Sequence, residues 1–371
     1  MDVKKIMKMW FLIILIVLCV AILFFLGIYC FFLFFPSIGA IPNKKMRKSY
    51  QEKTLHFYDN QFHNVEDFTL PCGKYEKNKG AIAVPKREVP VITWESYPKS
   101  NPDDLTINWL GHSSCLIQMN GCNILIDPVL SKYASPVPFV GSKRFSKVPM
   151  KSENLPQIQV LLISHDHFDH LDYSAIMKID EKVEHYLVPL GVESYFLSWG
   201  ISKEKIHPLI WWEQFTFRGI TFTMTPSQHF SGRNPFYKNI SFWGGYHFTN
   251  QKHSVYFTGD SGYNDHFKDV YRRLGSVEVM LSDAGQYNTK WSKIHMRPLE
   301  VLEASQDVHA TYLIPVHWGA FALSNHEWNE PPKVIKSRAS EYGVTVITPK
   351  IGERVVYDAI RNYQDSWWNF K

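Results

Sequence analysis

LISHDHFDH, residues 162–170, carries the strongest structural signal in the chain. It overlaps a short apolar run, IQVLLI (158–163), which is typical of a buried β-strand that ends in a polar loop. Within six residues this loop contains four candidate metal ligands, which are His165, His167, Asp169 and His170. Because histidine nitrogens and aspartate oxygens are common metal ligands, this density of donors after a strand predicts a site for two adjacent cations.

Three other strand ends supply further donors. His229 follows a strand that ends near Thr225, Asp260 lies between two glycines in TGDSG, and His317 closes the apolar run LIPVH. We expect one cation to be held by His165, His167 and His229, the other by Asp169, His170 and His317, with Asp260 bridging both. Zinc is the default metal for such ligands, with iron or manganese as alternatives.

The rest of the sequence alternates strand-like and helix-like segments. Asn120-Gly121 separates two apolar runs and is a dipeptide typical of a two-residue hairpin turn. Helical patterns occur at 173–179, 298–305 and 332–343, whereas the segments 185–190, 219–226, 254–260, 277–285 and 310–317 are strand-like. This order predicts an α/β protein in which helices cover two sheets and the functional loops gather at one edge.

The amino terminus contains a long uncharged segment. The 27 residues from Met9 to Phe35 would reach about 40 Å as a helix, more than the ~30 Å core of a bilayer. The segment stays bulky up to Pro36, which indicates an uncleaved single-pass anchor rather than a signal peptide. A slight excess of basic residues after it favours a cytoplasmic folded domain. The predicted organisation is a basic flank (1–8), a transmembrane anchor (9–35), a tether and wrap segment (36–104) and a metal-binding domain (105–371).

Composition excludes several classes of protein. Hydrophobic residues make up 45% of the 371 residues, so the chain has enough apolar surface for a core and is not disordered. The formal charge of +5 is spread without a long basic run, which argues against a nucleic-acid partner. Two cysteines lie in the apolar segment, so at most one disulfide is open to Cys72, Cys115 and Cys122. The oligomeric state is also open, with a homodimer as one option.

Taken together, these motifs resemble the metallo-β-lactamase superfamily. From about Leu105 to Val356 the chain is similar to the N-acylphosphatidylethanolamine-hydrolysing phospholipase D group and its bacterial membrane-associated relatives. The matching stretches are WLGHSS, ILIDPVLS, LISHDHFDHLDY, VPLG, TPSQHF, TGDSGY, HWGAFALSN and EPP. The resemblance implies a hydrolase domain at 105–371 with an αβ/βα four-layer sandwich and a cleft for two Zn²⁺ ions, and it assigns the ligand roles to the same seven residues.

Several other residues are expected around the metals. Asp127 at a strand end is suited to orient a metal-bound imidazole, with a turn cap as the alternative, and His112 to support a ligand loop or satisfy a turn. The resemblance places His295 toward the cleft. Phe168 and the QYNTKW stretch, with Tyr287, depart from the mammalian lipase at positions where we expect contacts with a substrate head group.

The resemblance implies a membrane-anchored zinc phosphodiesterase that cleaves N-acylphosphatidylethanolamine-like lipids to phosphatidic acid and N-acylethanolamine. Two cations can activate a bridging water for attack on phosphorus, so no protein nucleophile is needed. Asp169, Asp260 and His295 are the residues expected to act in catalysis. A lactonase or other ester hydrolase of the same fold is the alternative, and an inactive membrane-tethered metal-binding protein is a third option.

Overall fold

The structure is a computed structural model that describes residues 3–69, 81–99 and 101–369. The strands are β1 (Phe57–Tyr58), β2 (Gln61–Phe62), β3 (Thr106–Gly111), β4 (Ser114–Met119), β5 (Cys122–Ile126), β6 (Tyr133–Ala134), β7 (Ser142–Lys143), β8 (Ile158–Leu162), β9 (Val183–Pro189), β10 (Ile206–Leu209), β11 (Gln214–Phe217), β12 (Ile220–Thr225), β13 (Gly245–Thr249), β14 (Ser254–Phe257), β15 (Val279–Asp283), β16 (Tyr312–Val316), β17 (Thr345–Val346) and β18 (Arg354–Val356). The α-helices are α1 (Val3–Phe34), α2 (Lys44–Lys53), α3 (Tyr173–Ile179), α4 (Glu193–Ser198), α5 (His266–Leu274), α6 (Pro298–Asp307) and α7 (Glu330–Arg338).

Two seven-stranded sheets of mixed pairing form the centre of the fold. The first has the order β10-β9-β8-β5-β4-β3-β18, with parallel pairs from β10 to β5 and antiparallel pairs from β5 to β18. The second has the order β11-β12-β13-β14-β15-β16-β17, antiparallel up to β14 and parallel beyond it. Strands β3, β5 and β8 of the first sheet therefore run parallel to one another, as do β12, β14, β15 and β16 of the second.

Alternating side chains of the central strands build three apolar interfaces. In β8, Val160 and Leu162 belong to the core between the sheets, whereas Leu161 packs with Ile176 of α3 on the other face. In the second sheet Met280 faces outward, into a cluster built with α5, α6 and α7. Since both faces of such strands are buried, the strands are continuously apolar. Three interfaces between four layers confirm the predicted αβ/βα sandwich.

The predicted hairpin and the predicted helices are present. Asn120 and Gly121 connect β4 to β5 with φ of 48° and 67°, the left-handed backbone that a two-residue hairpin turn of this type requires. Helix α3 occupies the expected range, and α6 and α7 overlap the other two helical patterns. Helix α2 was not predicted, because only Tyr50 of that helix is buried and, apart from Met46, its other residues are polar. Cys115 and Cys122 carry free thiols, and Cys72 lies outside the described residues.

Helix α1 is long and apolar enough to cross a membrane, and none of its residues is buried by protein. It begins at Val3, so it includes part of the stretch predicted as a basic flank. A short helical turn, Pro36–Ile38, follows it and contacts the folded domain. The indole of Trp199 donates a hydrogen bond to the Pro36 carbonyl (2.8 Å), and the backbone NH of Ala40 donates to Ser198 Oγ (3.0 Å). The end of α1 is therefore attached to the domain without a free spacer.

A buried arginine connects this turn to the loop after β8. Arg233 is 1% exposed, and its Nε donates to the carbonyl of Ser37 at 2.9 Å. Its Nη1 donates to the carbonyls of Asp166 and Leu171, both at 2.9 Å, so it holds both ends of the loop that contains the predicted ligands. The guanidinium also stacks on the ring of Phe168 at 4.3 Å.

Replacement of Arg233 by Met should lower the free energy of unfolding by about 3 kcal/mol, because three buried carbonyls lose a charged donor. Thermal unfolding in detergent measures this effect. The matched control is Arg272→Met on α5, where the guanidinium is exposed and forms a surface ion pair with Asp269. We expect this control to change the free energy of unfolding by no more than about 0.5 kcal/mol. Equal effects of the two substitutions would contradict this role of Arg233.

Candidate metal centre

The predicted donors meet at one edge of the sandwich, at the carboxyl ends of strands from both sheets. Three ring nitrogens, from His165, His167 and His229, lie within 4.8 Å of one another. A second group with the same spacing contains one carboxylate and three imidazoles, namely His112, Asp169, His170 and His317. Asp260 groups with His165 and His170, one from each set. The structure thus brings all seven predicted ligands together at one edge, with His112 beside them, and their roles as metal ligands remain predictions.

Hydrogen bonds on Nδ1 turn the Nε2 atoms of several imidazoles toward the cluster. The Nδ1 atom of His170 donates to Asp127 (2.7 Å), and that of His229 to the carbonyl of Ile294 (3.1 Å). The Nδ1 atom of His165 lies 2.9 Å from Ser164 Oγ. These partners place the proton on Nδ1, which leaves the Nε2 lone pair for a cation.

The buried donors lack partners of their own. The Nε2 atoms of His165 and His170 and the Oδ1 atom of Asp260 are buried and make no hydrogen bond. Buried polar atoms nearly always have a hydrogen-bond partner, so a group of convergent ligand atoms without one indicates a site that binds a cation. The distance from Asp260 Oδ2 to His170 Nε2 is 3.1 Å, and from His229 Nε2 to His167 Nδ1 it is 3.3 Å. Donors about 2.0–2.1 Å from a tetrahedral zinc ion stand about 3.4 Å apart, so the residues fit such ions.

Asp260 is placed between the two sets of donors. Its Oδ2 atom lies 3.8 Å from His165 Nε2 and 3.9 Å from His229 Nε2 on one side. On the other side it lies 3.1 Å from His170 Nε2, and its Oδ1 atom lies 3.2 Å from His317 Nδ1. A carboxylate in contact with both sets is suited to the bridging position that the sequence predicted.

The imidazoles of the first set are held neutral. Burial lowers the pKa of His165 and of His229 well below the ordinary value, and the neighbouring imidazoles add to this effect. The pKa of His167 is lowered as well, chiefly by burial. A neutral imidazole is the form that ligates a metal, so this set needs no deprotonation to bind a cation.

Two imidazoles of the second group behave in the opposite way, whereas burial lowers the pKa of the third, His112, to about 3. Burial works against charge on His170, but the carboxylates of Asp260 and Asp169 raise its pKa well above the ordinary value. For His317, burial is again outweighed by Asp260 and Asp283, which raise the pKa to about 10. The same carboxylates that favour a proton on these imidazoles would also favour a bound cation, and binding of a cation would displace the protons.

A second row of carboxylates orients these imidazoles. Asp127 is fully buried and also accepts hydrogen bonds from the backbone NH (2.8 Å) and the hydroxyl (2.5 Å) of Ser164, which fixes its contact with His170. Asp283 was not predicted from the sequence. Its two oxygens accept from the Nδ1 atoms of His317 (2.8 Å) and His295 (2.9 Å). In metal sites, the histidine ligands commonly donate their other ring NH to carboxylates placed like these two.

The backbone is unusual at three of these positions. His112, Asp127 and His317 have φ of 53°, 39° and 64°, in the left-handed region that side chains seldom adopt. The backbones of His112 and His317 are also joined by a hydrogen bond of 2.9 Å from the NH of His317 to the His112 carbonyl. A Cβ on Gly285 would stand 2.1 Å from the carbonyl oxygen of His317, so only glycine fits there. Such local strain is typical of positions whose side chains must point in a set direction.

The remaining predicted residues fall in different places. His112 is buried, and its Nε2 donates to Asp169 Oδ2 at 2.9 Å, as expected of a supporting residue. His295 is half-buried at the edge of the cluster, with its ring centroid 5.1 Å from that of His317. Tyr287 is instead buried against His326, with stacked rings 4.3 Å apart. The ring of Phe168 packs against the guanidinium of Arg233. Contacts of Tyr287 and Phe168 with a substrate head group remain predictions.

Comparison with known proteins agrees with this architecture. A family model described as the beta-lactamase superfamily domain matches residues 122–318. An uncharacterized protein of Mycobacterium tuberculosis is 35% identical over 275 residues, which cover 73% of this chain and 73% of that protein. N-acyl-phosphatidylethanolamine-hydrolyzing phospholipase D 1 of Caenorhabditis elegans is 30% identical over 267 residues, covering 67% of this chain and 75% of the worm protein.

The fold also recurs in a solved structure. A possible metal-dependent hydrolase of Veillonella parvula superposes with a TM-score of 0.55 at 17% sequence identity, covering 68% of this chain and 99% of that one. At this low identity the match concerns the fold alone.

Zinc binding to the metal-free protein at pH 7 should release about two protons from imidazoles, because the carboxylates raise the pKa of His170 and of His317 and both rings must be neutral to ligate. Affinity should accordingly fall as the pH is lowered. Calorimetric titration in buffers of different ionisation enthalpy counts the protons. We expect His317→Ala to release about one proton fewer, and a release that is the same in both proteins would contradict this assignment.

Replacement of Asp283 by Asn should weaken zinc binding by about 10–100-fold, because His317 loses the carboxylate that orients it. Competition with a zinc chelator measures the affinity. The control is Asp307→Asn, since that carboxylate accepts a hydrogen bond from Tyr263 on the helical face of the second sheet. Unchanged zinc affinity in the Asp283 variant would show that the ring of His317 is held by other contacts.

Proposed function

Since this chain belongs to the metallo-β-lactamase superfamily and is a hydrolase of that fold, we propose that it is a zinc-dependent phosphodiesterase of the phospholipase D type. Its substrates are N-acylphosphatidylethanolamine-like lipids, and its products are phosphatidic acid and an N-acylethanolamine. The observation that carries the proposal is the cluster of seven predicted ligands, among which buried atoms of His165, His170 and Asp260 make no hydrogen bond. The similarity to the worm phospholipase supports the substrate class.

A pair of zinc ions would polarise the phosphoryl oxygens of a lipid and supply a nucleophile from water near neutral pH. The seven ligands predicted from the sequence would hold these ions. The face of the cluster that remains partly open is formed by His167, Asp169 and His295, which are half-buried while the other ligands are buried. The phosphate of a substrate therefore reaches the cluster from this side.

His295 is the residue placed to move a proton. Its Nδ1 donates to Asp283 at 2.9 Å, which leaves Nε2 as the nitrogen available to a substrate. Because the side chain is 12% exposed at the open face, it can contact a phosphate or the oxygen of the departing ethanolamide. Asp283 accepts hydrogen bonds from both His295 and His317, so one carboxylate fixes the position of the proposed proton donor relative to a metal ligand.

Helix α1 supports a membrane lipid as the substrate. A helix of 32 residues without buried side chains is long enough to anchor the domain to a bilayer, where the local concentration of lipid is high. We place the folded domain on the cytoplasmic side, from the slight excess of basic residues that follows the helix. The alternative substrate is a lactone or another ester, which the same cluster could hydrolyse.

The purified full-length protein loaded with zinc should release phosphatidic acid from N-acylphosphatidylethanolamine in mixed micelles. Asp169→Asn and His317→Ala should each lower kcat/KM by at least about 100-fold, because each removes a ligand of the second cation. Mass spectrometry of the lipid products and metal analysis of the same samples provide the measurement.

Asp265→Asn serves as the matched control, because that aspartate is exposed just before α5 and forms a surface ion pair with Lys268 of that helix. Its activity should equal that of the unaltered protein. Turnover of lactones without cleavage of the phosphodiester would replace the proposed substrate by the alternative. Bound zinc without activity on either class would leave the protein as a tethered metal-binding protein.

A further inference from the structure

Three exposed apolar side chains of the folded domain lie around the end of α1. Phe139 and Val140, at the tip of the loop between β6 and β7, are 73% and 54% exposed. Phe236, in the loop that follows His229, is 50% exposed. We call these three residues the apolar rim. Single exposed apolar residues are ordinary, but a cluster of them at one place marks a contact surface.

Phe236 packs directly on α1. Its ring lies 5.5 Å from that of Tyr29 and 5.8 Å from that of Phe32, in edge-to-face contacts. Next to it, the amide of Asn234 donates to the carbonyl of Phe32 at 3.0 Å. The chain has no charged residue between Met9 and Asn43, so this part of α1 belongs to its uncharged segment. A side chain that packs on this segment, such as Phe236, therefore lies at the same depth in a membrane as the segment itself.

The loop with Phe139 is fixed to the same end of the helix. The hydroxyl of Ser37 donates to the carbonyl of Pro136 at 2.6 Å. Between this loop and the helix end is a cavity of about 400 Å³, with Phe35, Val137 and Tyr173 among its lining residues. The lining is mostly apolar, which suits a surrounding of acyl chains rather than water.

The charges beside the rim are basic. Lys132, Lys143 and Lys238 are all exposed, and each is a few residues away from Phe139, Val140 or Phe236 in the chain. Lysines that flank apolar side chains are typical of the interface between hydrocarbon and lipid phosphates. Lysines beside apolar side chains at the end of a membrane helix fit a lipid surface better than they fit a partner protein.

We propose that the apolar rim inserts into the bilayer leaflet around α1, so that the domain is seated on the membrane surface instead of hanging from one helix. The proposal rests on the membrane anchoring included in the proposed function, and not on the reaction. It deepens that function, because a seated domain holds its metal centre at a constant height above the lipid phosphates.

Site-directed spin labelling of the full-length protein in lipid nanodiscs tests the proposal. Cys19, Cys30 and Cys72 are first replaced by Ser, and single labels are then attached to Phe139→Cys, Phe24→Cys and Leu299→Cys. Phe24 of α1 is the bilayer reference, and Leu299 of α6 is an exposed reference outside the rim. Collision rates with oxygen, which enters bilayers, and with a nickel chelate, which stays in water, are compared.

The label at Phe139 should match that at Phe24, with frequent oxygen collisions and rare nickel collisions, whereas Leu299 should show the reverse. Water exposure at Phe139 combined with bilayer exposure at Phe24 would overturn the rim while leaving the anchor. Protection of Phe139 from both reagents would also overturn it, since the loop would then be covered by protein such as a second copy of the chain. The measurement does not depend on catalysis, so its outcome is the same whether or not the proposed reaction is correct.

Phe139→Asp combined with Val140→Asp gives a second readout. The double variant should hydrolyse a lipid substrate in vesicles more slowly than the unaltered protein, but a water-soluble short-chain phosphodiester at an unchanged rate. Equal rates on vesicles would overturn the proposal. A parallel loss on the soluble substrate would do the same, because it would show damage to the metal centre.

Discussion

The structure depends on how it compensates for burying many imidazoles and carboxylates close together, since these groups lose their hydration and several of them repel one another. Imidazoles and carboxylates from seven strand ends are packed within a few ångströms, and most of them are shielded from water. Such a cluster is costly unless each group is held by a partner and the centre is filled by cations or protons. The partners on Nδ1, the left-handed backbone of His112, Asp127 and His317, and the tight fit at Gly285 all serve to hold this arrangement.

The sheets make the cluster possible because they bring distant strand ends to one edge. Asp283 closes β15 opposite Val316, and His317 follows at the end of the neighbouring parallel strand β16. The carboxylate of Asp283 is thereby within 2.8 Å of a ring that is 34 positions away in sequence. The same logic joins β5 to β8, where Asp127 meets the loop that begins at Ser164.

The sequence predicted those features that are encoded locally. The ligands stand directly after apolar runs, the hairpin carries Asn120-Gly121, and Asp127 ends a strand, so each was visible within a few residues. Asp283 and Arg233 could not be recognised in this way, because their partners are set by strand pairing and by contacts between distant loops. The stacking of Tyr287 on His326 could not be recognised either, because a local motif does not show which distant ring a side chain contacts.

The contact between Ser37 and Arg233 has a consequence for the order of assembly. The two residues are 196 positions apart, so the helix and its following turn leave the ribosome long before the arginine is made. Chains fold in the order of synthesis, so the turn after α1 is made well before the arginine that binds it. The loop after β8 is also held by Ser241 and Gly244, which come later still in the chain. The fixed position of this loop is therefore completed only after most of the chain up to Gly244 has been synthesised.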